Sequence, residues 1–164
     1  MKDSRDGQTY KTVKIGSQTW MAENLNFKTK HSYCYDNDSS NCTKFGQFYD
    51  WVEATEVCPK GWHLPDTTEW NTLFATVGGR ALASKVLKSK SLWKTCKNWN
   101  WQNGNGSDDY GFSALPAGSV KGYKGFYVYM VAKYNYAVYL SNYGKLDVKK
   151  TVRCIMDGER LETR

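Results

Sequence analysis

Apolar and polar residues alternate along "QTYKTVKIGSQTWMAENLN", with Tyr10, Val13, Ile15 and Trp20 on the apolar positions and Gly16-Ser17 between the two runs. Period-two alternation broken by a turn pair predicts a two-stranded hairpin. The period then changes. In "KFGQFYDWVEAT", Phe45, Phe48, Tyr49 and Val52 recur at helical spacing, so a first helix with an inward aromatic face is expected. Further on, Asp66 with Glu69 three residues later forms a capping-box pattern ahead of Trp70, Leu73, Phe74 and Val77. Those four recur at i, i+3, i+4 and i+7, and Gly78-Gly79 closes the helix. A third helical segment, about Arg80 to Lys90, is expected to turn Leu82, Val86 and Leu87 inward.

The second half has another character. "NWNWQNGNGSDDYG" is rich in Asn, Gly and Asp, which is loop composition. The runs "GFYVYMV", "KYNYAVYLSNYG" and "KLDVKKTVRCIMD" alternate apolar or aromatic residues with polar ones and read as antiparallel strands. Helices early and strands late indicate an α+β fold, a single domain over 1–164 with its core at about 3–157 and a frayed tail at 158–164.

Five cysteines, Cys34, Cys42, Cys58, Cys96 and Cys154, occur without the paired CxxC spacing of a zinc site, which favours an oxidising compartment. Cys34 and Cys42 bracket a short polar loop that closes easily on itself. A Cys58–Cys154 bridge would tie the first helix to the last strand and remove on the order of 4–5 kcal/mol of denatured-state entropy. Cys96 is then left over, either free and buried or available to link two chains.

The formal charge of +7 would suit an acidic partner, but the lysines are scattered through "KVLKSKSLWKTCK", "KGYKG" and "DVKK". No run reads as a basic arm, so a solvated basic surface is expected and no nucleic-acid partner. No apolar stretch is long enough to span a membrane, and "MKDSRDGQTY" lacks the apolar core of a signal peptide. If the protein is secreted, the chain is expected to be a mature fragment with an added start Met.

Few residues offer catalytic chemistry. His63 lies between Trp62 and Leu64 in "CPKGWHLPDTTEW", where a structural imidazole donating to a backbone carbonyl is expected rather than a base paired with Cys58. His31 has no partner identifiable from sequence. "NGNGSDD" precedes acidic residues rather than the Lys-Ser/Thr or helix start that a phosphate loop needs. Hard oxygen ligands do cluster at Asp36 to Asn41 and at Asn103, Asn105, Asp108 and Asp109, the chemistry that calcium takes, though neither has EF-hand spacing. No other cofactor is indicated. The chain holds 7 Trp and 12 Tyr, more rings than a core of this size ordinarily needs. Trp93, Trp99 and Trp101 surround the second loop, with Tyr123, Tyr127, Tyr134 and Tyr136 beyond it. Flat rings beside Asn and Asp side chains suit a pyranose, which has an apolar C–H face and a rim of hydroxyls. Strand tyrosines also pack as cross-strand pairs, so Tyr127, Tyr134 and Tyr136 have a structural reading as well.

The motifs "DGQTYKTVKIGSQTWMAENLN", "CPKGWHLPDTTEW", "SDDYGFSALPAG" and "TVRCIMD", in this order, resemble the Fibrobacter succinogenes major paralogous domain, or FISUMP, from about Asp3 to Asp157. The pieces "WHLPDTTEW" and "VRC" also resemble the C-type lectin-like superfold of formylglycine-generating-enzyme-type domains. That resemblance implies two to three helices, an antiparallel sheet, paired terminal strands and a long irregular loop region; a Cys58–Cys154 bridge matches its helix-to-strand link. The family resemblance implies a secreted or surface-attached bacterial protein, often a lipoprotein, from organisms that degrade plant polysaccharide. Two departures stand out. "YKGFYVYMVAKYNYAVYLSNYG" lacks the Trp-Ser-Ser-like stretch of many members, and the copper-binding cysteine pair of formylglycine-generating enzymes has no counterpart.

The expected function is therefore a non-catalytic extracellular or outer-membrane-surface binding module. Its ligand would be carbohydrate, held by Trp99, Trp101, Asp108, Asp109, Tyr123 and Tyr127, with calcium as a candidate at the same loop. The alternative is a structural or protein-interaction domain of the bacterial cell envelope, whose partner is a cell-surface protein.

Overall fold

A computed structural model describes residues 1–93, 104–117, 119–120 (backbone only) and 149–158 of the chain. The predicted hairpin is present. Strands β1 (Thr12–Ile15) and β2 (Gln18–Met21) pair antiparallel from Thr12 opposite Met21 to Ile15 opposite Gln18, and Gly16, at φ 61°, sits in the turn. Beyond the hairpin, Asp38 accepts from Ser40 N and caps α1 (Ser39–Phe45). There follow β3 (Phe48–Tyr49), α2 (Trp51–Glu56), β4 (Trp62–His63), α3 (Thr67–Thr76), α4 (Arg80–Val86), β5 (Ser119–Val120), β6 (Lys149–Thr151) and β7 (Ile155–Met156). The architecture is α+β with antiparallel pairing. One sheet has the order β1-β2-β7-β4 and the other β3-β6-β5.

The helix expected over "KFGQFYDWVEAT" is instead two helices with a strand between them. Gly46 ends α1 at φ 79°, where a Cβ would lie 2.7 Å from the Leu25 carbonyl oxygen and 2.8 Å from Asn24 Cβ. No larger residue fits that position. Phe48 then pairs with both Tyr33 and Thr151, and Asp50 starts α2 by accepting from Glu53 N. Phe48 and Tyr49 are both buried because the two faces of this strand are both covered, whereas Val52 is 66% exposed. The i, i+3, i+4 spacing came from a doubly buried strand rather than from one helix face.

The pairing of β2 with β7 explains where the core sits. Successive residues of β2 point to opposite faces, so Trp20 enters one hydrophobic cluster with Leu73, Val77 and Phe112 while Met21 enters another with Leu25, Tyr49 and Val152. The segment leading into β7 divides in the same way, with Cys154 in the second cluster and Ile155 in the first. Met21 N donates to the Cys154 carbonyl at 3.0 Å and Leu25 N to the Val152 carbonyl at 2.8 Å, so residues 152–155 run along the chain after the hairpin.

Both expected bridges are present: Cys34–Cys42, and Cys58–Cys154 across a sequence separation of 96. The second joins the residues just after α2 to the start of β7. Helix α3 follows its sequence pattern closely. Asp66 Oδ1 accepts from Glu69 N at 2.8 Å and Asp66 N donates to Glu69 Oε2 at 2.8 Å, completing the capping box. Trp70 then packs against Trp20 with ring centroids 4.8 Å apart. In α4, Ala83, Val86 and Leu87 are buried but Leu82 is exposed, against expectation. Leu82 folds over Gly78, its Cδ2 3.0 Å from where a Cβ on that glycine would lie, and the short side chain of Ala83 takes the inward place. Of the expected strands, "GFYVYMV" and "KYNYAVYLSNYG" lie outside the described residues, as does the 159–164 part of the tail.

Candidate functional site

The Asn/Gly/Asp loop is built on a pinned base. Ser89 N donates to the Ala114 carbonyl at 3.0 Å, Ala114 N to Leu87 at 2.8 Å, Gly106 N to Ser89 at 2.9 Å and Ser107 N to Lys85 at 3.0 Å. These bonds zip residues 104–114 to the end of α4. The fit requires glycine at 106, where a Cβ would lie 2.3 Å from the Lys88 carbonyl oxygen. Lys88 itself is buried and spans the two stems: its ammonium donates to the Gly104 carbonyl at 2.8 Å and lies 4.8 Å from the Trp93 ring centre. Burial holds its pKa below the ordinary 10.5. Trp93 N donates to Asn105 Oδ1 at 3.1 Å. The residues flanking 94–103 are therefore tied together through Lys88, Trp93 and Asn105.

Trp99, Trp101 and Asn103 fall within that connection and lie outside the described residues, as do Tyr123, Tyr127, Tyr134, Tyr136 and Cys96. Trp93 is only 9% exposed and donates its indole N–H to Ser89 Oγ and the Ala114 carbonyl, so it belongs to the base. Asp108 and Asp109 are adjacent but face different tasks. The Asp108 carboxylate takes the Ser113 N–H at 2.6 Å and the Ser113 hydroxyl, while Asp109 is exposed and its N–H donates to the Val86 carbonyl at 2.9 Å. Asn105 spends its side-chain oxygen on Trp93. At the other oxygen-rich loop, Asp36 and Asn37 have positive φ in a 3-10 turn and Asp38 caps α1. Among the described residues no group of three or more His, Cys, Asp or Glu side chains is gathered to hold a metal ion.

His63 departs from its expected backbone partner. Its Nδ1 is 2.6 Å from Asp157 Oδ1 and its Nε2 is 2.7 Å from Glu69 Oε1. Strand pairing sets this up, because His63 on β4 lies opposite Ile155 on β7 and Glu69 is in the first turn of α3. A neutral imidazole donates from one nitrogen alone, so facing two carboxylates favours the imidazolium. Partial burial pulls the His63 pKa down, but the hydrogen bonds and charges of Asp157 and Glu69 outweigh it and raise the value above 6.5. An imidazolium held between two carboxylates is a clamp, not a free base.

Two recesses share part of their lining. One, of about 380 Å³, lies among Tyr10, Glu23, Asn24, Lys44, Gly46 and Ser113. Its neighbour, of about 410 Å³, lies among Lys28, Tyr33, Asn37, Ser39 and Gln47. Asn26, Cys42 and Thr43 line both.

A family model described as the Fibrobacter succinogenes major domain matches residues 13–155. The chain belongs to this family. No curated protein and no solved structure matches it. The match runs from within β1 to within β7 and includes the pinned loop, His63 and Glu69, whereas Asp157 and the recess residues Gln8 to Lys11 lie just outside it.

Arg153 and Asn24 are among the buried polar residues of this domain that the sequence pattern did not reveal. Arg153 donates from Nε to Asn24 Oδ1 at 2.9 Å, from Nη2 to the Ser113 carbonyl at 2.8 Å and from Nη1 to the Phe112 carbonyl, and it lies 4.6 Å from the Phe112 ring centre. It fastens the loop's C-terminal stem to the "AENLN" segment. The motif "VRC" carried the signal, but as a strand piece and not as a buried cation. Asn24 is the other. Its Nδ2 donates to the Phe45 carbonyl at 2.8 Å, so both ends of its amide are committed.

Proposed function

We propose that this domain is a non-catalytic extracellular or cell-surface binding module whose ligand is carbohydrate. The observation that carries the reading is the anchored base of the 94–103 connection. The connection bears Trp99 and Trp101, and its two ends are held together through Lys88, Trp93 and Asn105. Fixing the two ends of a connection reduces the conformational freedom it has to lose on binding. Asp109, exposed beside the stem, is a ready acceptor for sugar hydroxyls. The His63, Glu69 and Asp157 groups are engaged with one another, which supports binding without catalysis.

The same reading takes the fold as C-type lectin-like. Supporting it are the N-terminal hairpin paired with the last strand, the bridge from the end of α2 to that strand, and a loop region set on a helical base. Two disulfides are compatible with an extracellular setting, and no helix among the described residues is long and apolar enough to cross a membrane. Attachment to the outer surface would then come through a lipid anchor or a neighbouring domain.

A second reading is a protein-interaction domain of the cell envelope, in which Leu92 would be one apolar contact. It holds a positive φ of 75° and a 42% exposed apolar side chain next to the stem. The deciding test is binding of the purified domain to soluble glycans and insoluble plant polysaccharides, with calcium and with chelator, beside a Trp99→Ala/Trp101→Ala variant. Glycan binding lost in the variant supports the loop reading, and chelator sensitivity adds the metal. No binding to any glycan overturns it and favours a protein partner.

A further inference from the structure

The two recesses share three lining residues, Asn26, Cys42 and Thr43. They meet across the Cys34–Cys42 cystine: Cys34 and Cys42 line the larger recess, Cys42 the smaller, and Asn26 and Thr43 belong to both. Each volume, about 380 and about 410 Å³, falls in the range of small-ligand sites, about 300–1,000 Å³. The walls are fixed. Gly46 admits no side chain, Asn24 is held at both ends of its amide, and the Asn26 backbone is held by the Tyr10 hydroxyl at its N–H and by Gln8 Nε2 at its carbonyl.

Against that fixed frame, two amides line the larger recess, Asn26 and Gln47. Gln47 is 7% exposed. Asn26 Oδ1 is buried without a donor. A buried oxygen left without a donor costs free energy that a donor recovers. The neighbouring Ser32, Asn37, Ser39 and Thr43 make this lining rich in groups that both donate and accept, which matches a polyhydroxylated ligand.

The charged lining residues narrow the class. They are Lys11, Lys28, Lys44 and one carboxylate, Glu23, whose Oε2 already accepts from Lys11 N at 2.8 Å. No carboxylate lines the larger recess. We infer that the paired recess binds an acidic saccharide, with consecutive sugar units on either side of Thr43, hydroxyls on Asn26 and Gln47, and carboxylates facing Lys28 and Lys44. This deepens the carbohydrate reading and rests on it for the ligand type, but it assigns a surface separate from the 94–103 connection.

The probe is an oligogalacturonate, compared by calorimetry with a neutral cello-oligosaccharide of equal length. The acidic oligomer is expected to bind more tightly, and to lose affinity at least about tenfold in Lys28→Met/Lys44→Met and in Gln47→Leu. Lys60→Met/Lys85→Met removes the same charge elsewhere and is expected to keep parental affinity. The Lys28/Lys44 pair is exposed, so that variant folds even if Gln47→Leu does not. Equal binding of the neutral oligomer, or acidic binding indifferent to Lys28, Lys44 and Gln47, overturns the inference. If binding depends on Trp99 and Trp101 alone, the recess fails while the loop reading stands; if no saccharide binds, both fail.

Discussion

His63 and Asp157, 94 positions apart in sequence, meet at 2.6 Å between Nδ1 and Oδ1. The other face of the same imidazole meets Glu69, whose second carboxylate oxygen completes the capping box of α3. One carboxylate thus links the start of a helix to the end of β7 through a single ring.

This linkage predicts a pH dependence. The His63 pKa is raised in the folded state, so its contribution to stability is fully present below the ordinary value of 6.5 and is lost as pH rises through the higher folded value. Melting temperatures of the parent and His63→Gln, compared from about pH 6 to 9, are expected to converge as pH rises. Curves that stay parallel throughout would show that the ring carries no linked charge.

The capping box is separable from that clamp. Asp66→Ala removes the acceptor for Glu69 N and is expected to cost about 1 kcal/mol, whereas Asp66→Asn keeps a capping oxygen and costs less. Denaturant titration of the two variants gives the comparison. Equal losses would mean that the carboxylate charge, rather than the cap, is what matters.

The two cystines differ in the chain they close. Removing Cys58–Cys154, with a separation of 96, is expected to cost about 4–5 kcal/mol, and removing Cys34–Cys42, with a separation of 8, about 2–3 kcal/mol. Paired serine variants measured by chemical unfolding test the order. A larger loss at Cys34–Cys42 would point to native contacts around the polar recess instead of chain entropy.

Apart from the Cys58–Cys154 bridge, what the sequence made legible was local. The hairpin turn at Gly16, the box at Asp66 and Glu69, and the helical stripe from Trp70 to Val77 each depend on neighbours within a few residues, and each is present. Phe48 and Tyr49 misled because a strand covered on both faces has no alternation to read. Leu82 misled because one glycine before it offered a nearer surface than the core. At the candidate site, the oxygen-rich character of Asn105 and Asp108 was visible, but not that Trp93 and Ser113 occupy those oxygens. Of the paired recess, only the oxygen-rich Asp36 to Asn41 segment and the Cys34–Cys42 loop were visible in the sequence. Its polar walls come from segments around residues 8–11, 22–28, 32–47 and 111–115, and only the fold brings them together.

Arg153 was invisible for a related reason: hydropathy patterns place a guanidinium at the surface, while here it is fully buried. Its donors serve the Phe112 and Ser113 carbonyls and Asn24 Oδ1, so it holds the C-terminal stem of the 94–103 connection against the wall of the smaller recess. Arg153→Met fills much of the same volume but leaves those oxygens without these donors, and is expected to cost at least about 2 kcal/mol. Amide hydrogen exchange should rise first at Ala114 and Gly106, whose N–H groups zip the stem to α4. Arg153→Lys restores the charge without the fork of donors and should rescue little. A methionine variant that melts with the parent and protects Ala114 equally well would mean that the stem is held by its backbone bonds alone.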